Sequence, residues 1–194
     1  MGRWQPRSSD DYRRGSAAYQ RDSLLGLAVA VLLCAIFLVL PLPSDKGVSL
    51  APLSLSGQVV GISDGDTISV LREGHAVKVR LHGIDCPESH QAFGTRARQY
   101  TSELAFQQTV TVIVHTTDRY GRLVGEVRLP DGRSLNHELV RAGMAWWYRQ
   151  FAPHDAELAR LEAEAQAAQR GLWSDPQAIA PWDFRAHRRQ PVGQ

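Results

Sequence analysis

The chain has 194 residues, 22 basic and 20 acidic side chains, and two cysteines, Cys34 and Cys86, which allows one ordinary domain with appendages. Residues 1–23 hold five arginines and three aspartates, leaving 17 basic and 17 acidic residues elsewhere; that balance excludes a global field as the means of binding a polyanion and leaves only local clusters. Cys34 lies in an apolar run out of reach of the globular part, so an intradomain disulfide is excluded too.

Residues 1–23 are polar and read as a disordered, basic cytoplasmic segment. From Leu24 to Leu42 there is no charge, and at helical rise this stretch is roughly 28 Å long, the thickness of a bilayer core. Arginines precede it and only Lys46 follows closely, so the positive-inside rule predicts a transmembrane anchor at 24–42 with the domain extracytoplasmic, periplasmic or extracellular. A cleaved signal peptide, giving a secreted protein, is the alternative; the long apolar core and the sequence Leu40-Pro41-Leu42-Pro43, with no small-x-small site nearby, favour the anchor. Residues 43–55, rich in Pro and Ser, read as a linker.

Gly57–Ile62 is a strand candidate, and the Asp64-Gly65 step after it signals a hairpin turn. Thr67–Leu71 returns, Glu73-Gly74-His75 turns again, and Ala76–Ile84 completes a three-strand meander; in it Val77, Val79 and Leu81 alternate with Lys78, Arg80 and His82. Pro87 then stiffens the turn Asp85-Cys86-Pro87-Glu88. Phe93, Ala97, Tyr100 and Leu104 fall on one stripe of an amphipathic helix. Thr109–Val114 and Arg122–Leu129 are the fourth and fifth strands. Asn136 is the expected cap of a short helix through Ala142, with Gly143 as its stop. A last helix runs from about Asp155 to Arg170, and residues 175–194 read as a solvated, Pro-flanked tail, with loose contact of Arg185, Arg188 and Arg189 to nucleic acid as the alternative. Five strands and about three helices, with one helix inserted after the third strand, match a five-stranded, partly open OB-fold barrel (α+β); an SH3-like barrel or an open α+β sheet fits the same pattern.

An arginine and two acids within residues 80–88 could hold a phosphate and a metal ion together. Ser63-Asp64-Gly65-Asp66-Thr67, Arg80 to Glu88 and Asp118-Arg119-Tyr120-Gly121-Arg122 resemble the three signatures of the staphylococcal nuclease (thermonuclease) family, in the family's order. The likeness covers about residues 56–174. It implies the same barrel and calcium-dependent hydrolysis of DNA and RNA phosphodiesters, leaving 3′-phosphate ends. It further implies that Asp66, Asp85 and the Cys86 carbonyl ligate Ca²⁺, that Glu88 activates water, that Arg80 and Arg122 grip the phosphate, and that Tyr120 lies beside a neighbouring phosphate or base. Cys86 stands where the best-known member has threonine, and only its carbonyl is required.

The chemistry agrees: guanidiniums and a divalent metal stabilise the charge that builds on phosphorus, and carboxylate and carbonyl oxygens select a hard cation. Nothing around Cys86 implies a histidine base for a thiol nucleophile, and the seven histidines show no zinc-ligand spacing. In Trp146-Trp147-Tyr148 at least one Trp is expected to pack, with Tyr148 kept as a substrate contact. A non-catalytic nucleic-acid-binding module tethered to the membrane is the competing reading. Its mark would be loss of an acid or an arginine, and all five are present. No protein partner is implied.

Overall fold

Period-two alternation of Val, Ile and Leu builds a barrel in the computed structural model, which describes residues 53–189; the expected anchor at 24–42 lies outside the described residues. Among those residues no helix is long and apolar enough to cross a membrane. Strands β1 (Ser54–Asp64), β2 (Thr67–Arg72) and β3 (His75–Leu81) form the antiparallel meander. There follow β4 (Ile84–Asp85), α1 (Gly94–Ala105), β5 (Thr109–Thr117) and β6 (Leu123–Arg128). The chain continues as α2 (Leu135–Arg141), β7 (Trp146–Trp147), α3 (Ala156–Ala167), a 3₁₀ turn at Gly171–Ser174 and α4 (Pro181–Arg189).

The barrel closes in the order β1-β2-β3-β6-β5. Four of its seams are antiparallel; the fifth, β3 against β6, is parallel, with Val79 opposite Leu123 and Leu81 opposite Gly125. The inward residues of the alternation, among them Val59, Ile68, Val70, Val79, Val112 and Val127, are fully buried, each contributing roughly 1.5–3 kcal/mol. Leu135 and Leu139 of α2 and Leu158 and Leu161 of α3 extend this core.

Where the structure departs from the sequence reading, the reasons are local. The third strand stops at Leu81 because Gly83 takes φ +73°, and Ile84–Asp85 leaves the barrel to pair with Trp147 and Trp146. In α1 the buried positions are Gly94, Ala97, Thr101 and Ala105, rotated from the expected stripe: Phe93 sits at the N-cap in a left-handed conformation, and the Thr101 hydroxyl donates to the Gly65 carbonyl. Ser134, not Asn136, caps α2. Asn136 does different work two residues after that cap, accepting the Val127 N–H at 3.1 Å and donating to the His82 carbonyl at 2.9 Å. It thereby fixes α2 to β6 and to the turn after β3.

The segment expected to be a solvated tail contains α4, a fourth helix. Pro181 at its first position and Asp183 in its first turn are start signals, because proline lacks the N–H that would be orphaned there and an acid complements the helix dipole.

Candidate active site

The register of the barrel assembles the site. Arg80 on β3 lies between Thr67 of β2 and Val124 of β6, which brings Asp66, the residue before Thr67, and Arg122, two residues before Val124, to its two flanks. Gly65 allows the β1–β2 turn to pass close beneath the turn after β4: a Cβ there would lie 2.8 Å from that of Cys86 and 2.9 Å from that of Ala97.

Arg80 donates from Nη2 to Asp85 Oδ1 at 2.8 Å and from Nη1 to the Leu81 carbonyl at 3.1 Å, and Nη1 is also ion-paired with Asp66 Oδ2 at 3.1 Å. Its side chain is 16 % exposed and both carboxylates are buried. Burial works against the arginine's charge, but Asp66 and Asp85 outweigh it and raise its pKa. Asp66 also accepts the Cys86 N–H at 2.8 Å and the Thr67 hydroxyl at 3.1 Å, so it is held from three sides. Burial raises the pKa of Asp85, opposed by Arg185 and Arg80. Asp64 is raised by burial and then by the charge of Asp66, the signature of acids crowded at one point. The Cys86 thiol is buried and pushed well up in pKa, which keeps it protonated and unreactive.

Glu88 is part of this cluster through a residue the sequence reading assigned to the tail. Arg185 of α4 donates from Nη1 to Glu88 Oε1 at 2.7 Å and from Nη2 to Asp85 Oδ2 at 2.7 Å. A groove of about 890 Å³ opens beside the cluster, lined by Arg80, Arg122, Arg185, Tyr120, Tyr148 and Trp182 among others. Arg122 is held by Asp118, which takes its Nε–H at 2.7 Å and the backbone N–H groups of Tyr120 and Arg122; desolvation pushes the Asp118 pKa up, and these bonds together outweigh it and lower the pKa. Tyr120 is 68 % exposed, with the guanidiniums of Arg119 and Arg122 over its ring.

All eight residues singled out in the sequence therefore fall in this cluster or on its groove. Asp66, Arg80, Asp85, Cys86 and Glu88 share the cluster, while Arg122, Tyr120 and Tyr148 line the groove. Trp146 packs edge-on against Trp173 and Trp182, as expected for at least one tryptophan. Asp118 and Trp182 were missed, and Arg185 was read as a residue of the solvated tail, whereas it pairs with Asp85 and Glu88. Asp118 was legible as an acid four residues before Arg122, and α4 through Pro181 and Asp183.

A closed five-stranded barrel thus carries buried acids, Arg80 on β3 and Arg122 just before β6 beside an open groove, an arrangement with the chemistry to take an anion. The family model described as staphylococcal nuclease homologue matches residues 78–175. Similar proteins include "Protein ParB" of Escherichia coli, 48% identical over 140 residues, 68% of this chain and 79% of that protein. The "Micrococcal nuclease" of Shigella flexneri is 47% identical over 138 residues, 66% of this chain and 79% of that one. An "Uncharacterized endonuclease" of Escherichia coli O157:H7 is 44% identical over 135 residues, covering 70% and 87%. The chain belongs to the staphylococcal nuclease family and is a nuclease, a hydrolase of phosphodiester bonds.

Proposed function

We propose that the protein is a calcium-dependent nuclease that cuts DNA and RNA, leaves 3′-phosphate ends and works outside the cytoplasm, tethered by residues 24–42. The observation that carries the catalytic part is the Asp66–Arg80–Asp85 bridge with Glu88 beside it and Arg122 across the same groove.

The donor set suits a hard cation. Two carboxylates approach from different turns and meet at a point that already takes positive charge, since guanidinium nitrogens sit against Asp66 Oδ2 and Asp85 Oδ1. Among the described residues no three His, Cys, Asp or Glu side chains converge on one point. The protein would thus give two carboxylates and the Cys86 carbonyl, with water completing the shell, which is a weak site of about 10⁻⁴ to 10⁻³ M. Such a site fills outside a cytoplasm and agrees with the topology read from the arginines before Leu24. When bound, the ion would supply Lewis-acid charge to the phosphoryl oxygen.

The chain's own residues do the rest. Arg122, with its Nε fixed on Asp118, keeps both Nη groups for phosphate oxygens, and Arg80 supports the same anion from the barrel wall. Together they set the phosphorus for in-line attack. Glu88 has one oxygen tied to Arg185, which leaves Oε2 to orient a water and take its proton. Tyr120 and Tyr148 flank the groove, where their rings meet neighbouring groups of the strand.

Digestion of single- and double-stranded DNA and RNA, with Ca²⁺ and with chelator, tests the reading, and end-group analysis of the products tests the bond cut. Cleavage that persists in chelator, or products with 5′-phosphates, would overturn it. Binding without cleavage would return the case to the tethered binding module.

A further inference from the structure

Helix α4 brings two groups to the groove that the family signatures do not contain. Trp182 and Arg185 stand three residues apart, on one face of the helix, and both line the groove. Trp182 stacks on Tyr148 with centroids 4.9 Å apart and planes 14° apart, and Phe151 meets the Tyr148 ring edge-on at 4.7 Å. The row Trp182–Tyr148–Phe151 ends in a ring that is 58 % exposed and also lines the groove. A helix in a solvated tail would have no reason to place an aromatic and a cation together here.

Arg185 has capacity to spare. Its three bonds to Glu88 Oε1, Asp85 Oδ1 and Asp85 Oδ2 come from Nη1 twice and Nη2 once. A guanidinium has five N–H groups, so the Nε–H and one Nη2–H remain while the acids stay paired. The side chain is 34 % exposed, against 16 % for Arg80, so it is the more accessible of the two to an arriving anion.

We infer that α4 is a substrate-binding wall for single-stranded nucleic acid, with Arg185 as a third phosphate-binding guanidinium and the row Trp182–Tyr148–Phe151 as a platform for unstacked bases. This rests on the nuclease reading of the groove and names its substrate class. A base adds to the row only when its face is free, which a single strand offers and a duplex interior does not. The phosphate next to that base then falls within the groove that holds Arg185, Arg80 and Arg122.

The test is anisotropy of a labelled 12-mer single strand and of a 12-base-pair duplex with the full chain in chelator. The wild type should bind the single strand at least about tenfold tighter than the duplex, as expected for stacking of one base. Phe151→Ala, whose exposed ring is not part of the core, should abolish that preference. Arg185→Gln should weaken single-strand binding about tenfold and lower the salt slope by about one, with Arg185→Lys in between. Arg188→Ala, outside the groove, should bind like wild type. Equal affinity for the two forms, or a Phe151→Ala protein that keeps the preference, would overturn the platform. An Arg185→Gln protein that binds as tightly as wild type, or tighter, would overturn the phosphate role and leave Arg185 a counter-ion for Asp85 and Glu88. Because binding is read in chelator, a parallel digestion that needs no Ca²⁺ overturns the cation reading alone.

Discussion

Asp66 accepts the backbone N–H of Cys86 at 2.8 Å, and this one bond locks the β1–β2 turn to the turn that carries Asp85 and Glu88. The acids of the site are therefore held relative to each other by backbone, and the arginines are added onto a fixed frame. Gly65→Ala should disturb that frame. Its Cβ would meet Cys86 and Ala97 below 3 Å, and overpacking of this kind costs about 1–3 kcal/mol. A lower urea midpoint together with a raised Ca²⁺ requirement is expected; unchanged values for both would show that the two turns are not coupled.

Arg80→Lys should cut activity at least about tenfold, or roughly 1.4 kcal/mol of barrier. Lysine keeps the charge but loses the planar fork that reaches Asp66 and Asp85 at once. Arg80→Ala should also destabilise the fold by about 3 kcal/mol, because it strips a partner from two buried carboxylates. Urea denaturation of both variants separates the two effects.

For Glu88→Gln, saturating Ca²⁺ should leave the rate depressed by roughly 10² to 10⁴, since the amide accepts no proton. Asp66→Ala should show the other phenotype, a raised Ca²⁺ requirement with partial recovery of rate. Recovery of Glu88→Gln to the wild-type rate at high Ca²⁺ would reassign Glu88 to the metal.

His82 and His115 stack with ring centroids 4.4 Å apart. Burial and then the neighbouring imidazole lower the His82 pKa from its ordinary 6.5. The folded form thus binds this proton less readily than the unfolded chain, so the stability it carries is present above that value and is lost as pH falls through it. Melting temperature should fall between about pH 7 and pH 5, and His115→Phe, which keeps a stacked ring without a charge, should shrink that fall. An identical pH dependence in the variant would remove His115 as a cause.

An alkaline phosphatase fused after Gln194 should be active, and a reporter that works only in the cytoplasm should be silent there. The reverse pattern would sink the proposed topology, which rests on the five arginines before Leu24.

Strand alternation made the five strands legible, since Val77, Val79 and Leu81 display a period of two without interruption; the choice of this barrel over an SH3-like barrel or an open sheet came from the family signatures. The acids and barrel arginines were legible because each sits in a short signature whose spacing is set by one turn. Other features depend on contacts distant in sequence. Asn136 reads as a cap until the His82 carbonyl and the Val127 N–H are beside it. Likewise Arg185 is an arginine among several until α4 docks and brings it to Asp85 and Glu88, and no local pattern encodes a pairing across so much chain.

The parallel seam between β3 and β6 also sets when this protein can act. Arg80 lies on β3 and Arg122 immediately precedes β6, so the two arginines of the groove come together only when that seam forms, with β4, α1 and β5 between them in the chain. Pairings this distant form late, since the chain must be ordered before the contact rewards it. A chain in which that seam is still open holds Arg80 and Arg122 apart, so the proposed hydrolysis is expected to appear only once the barrel has closed.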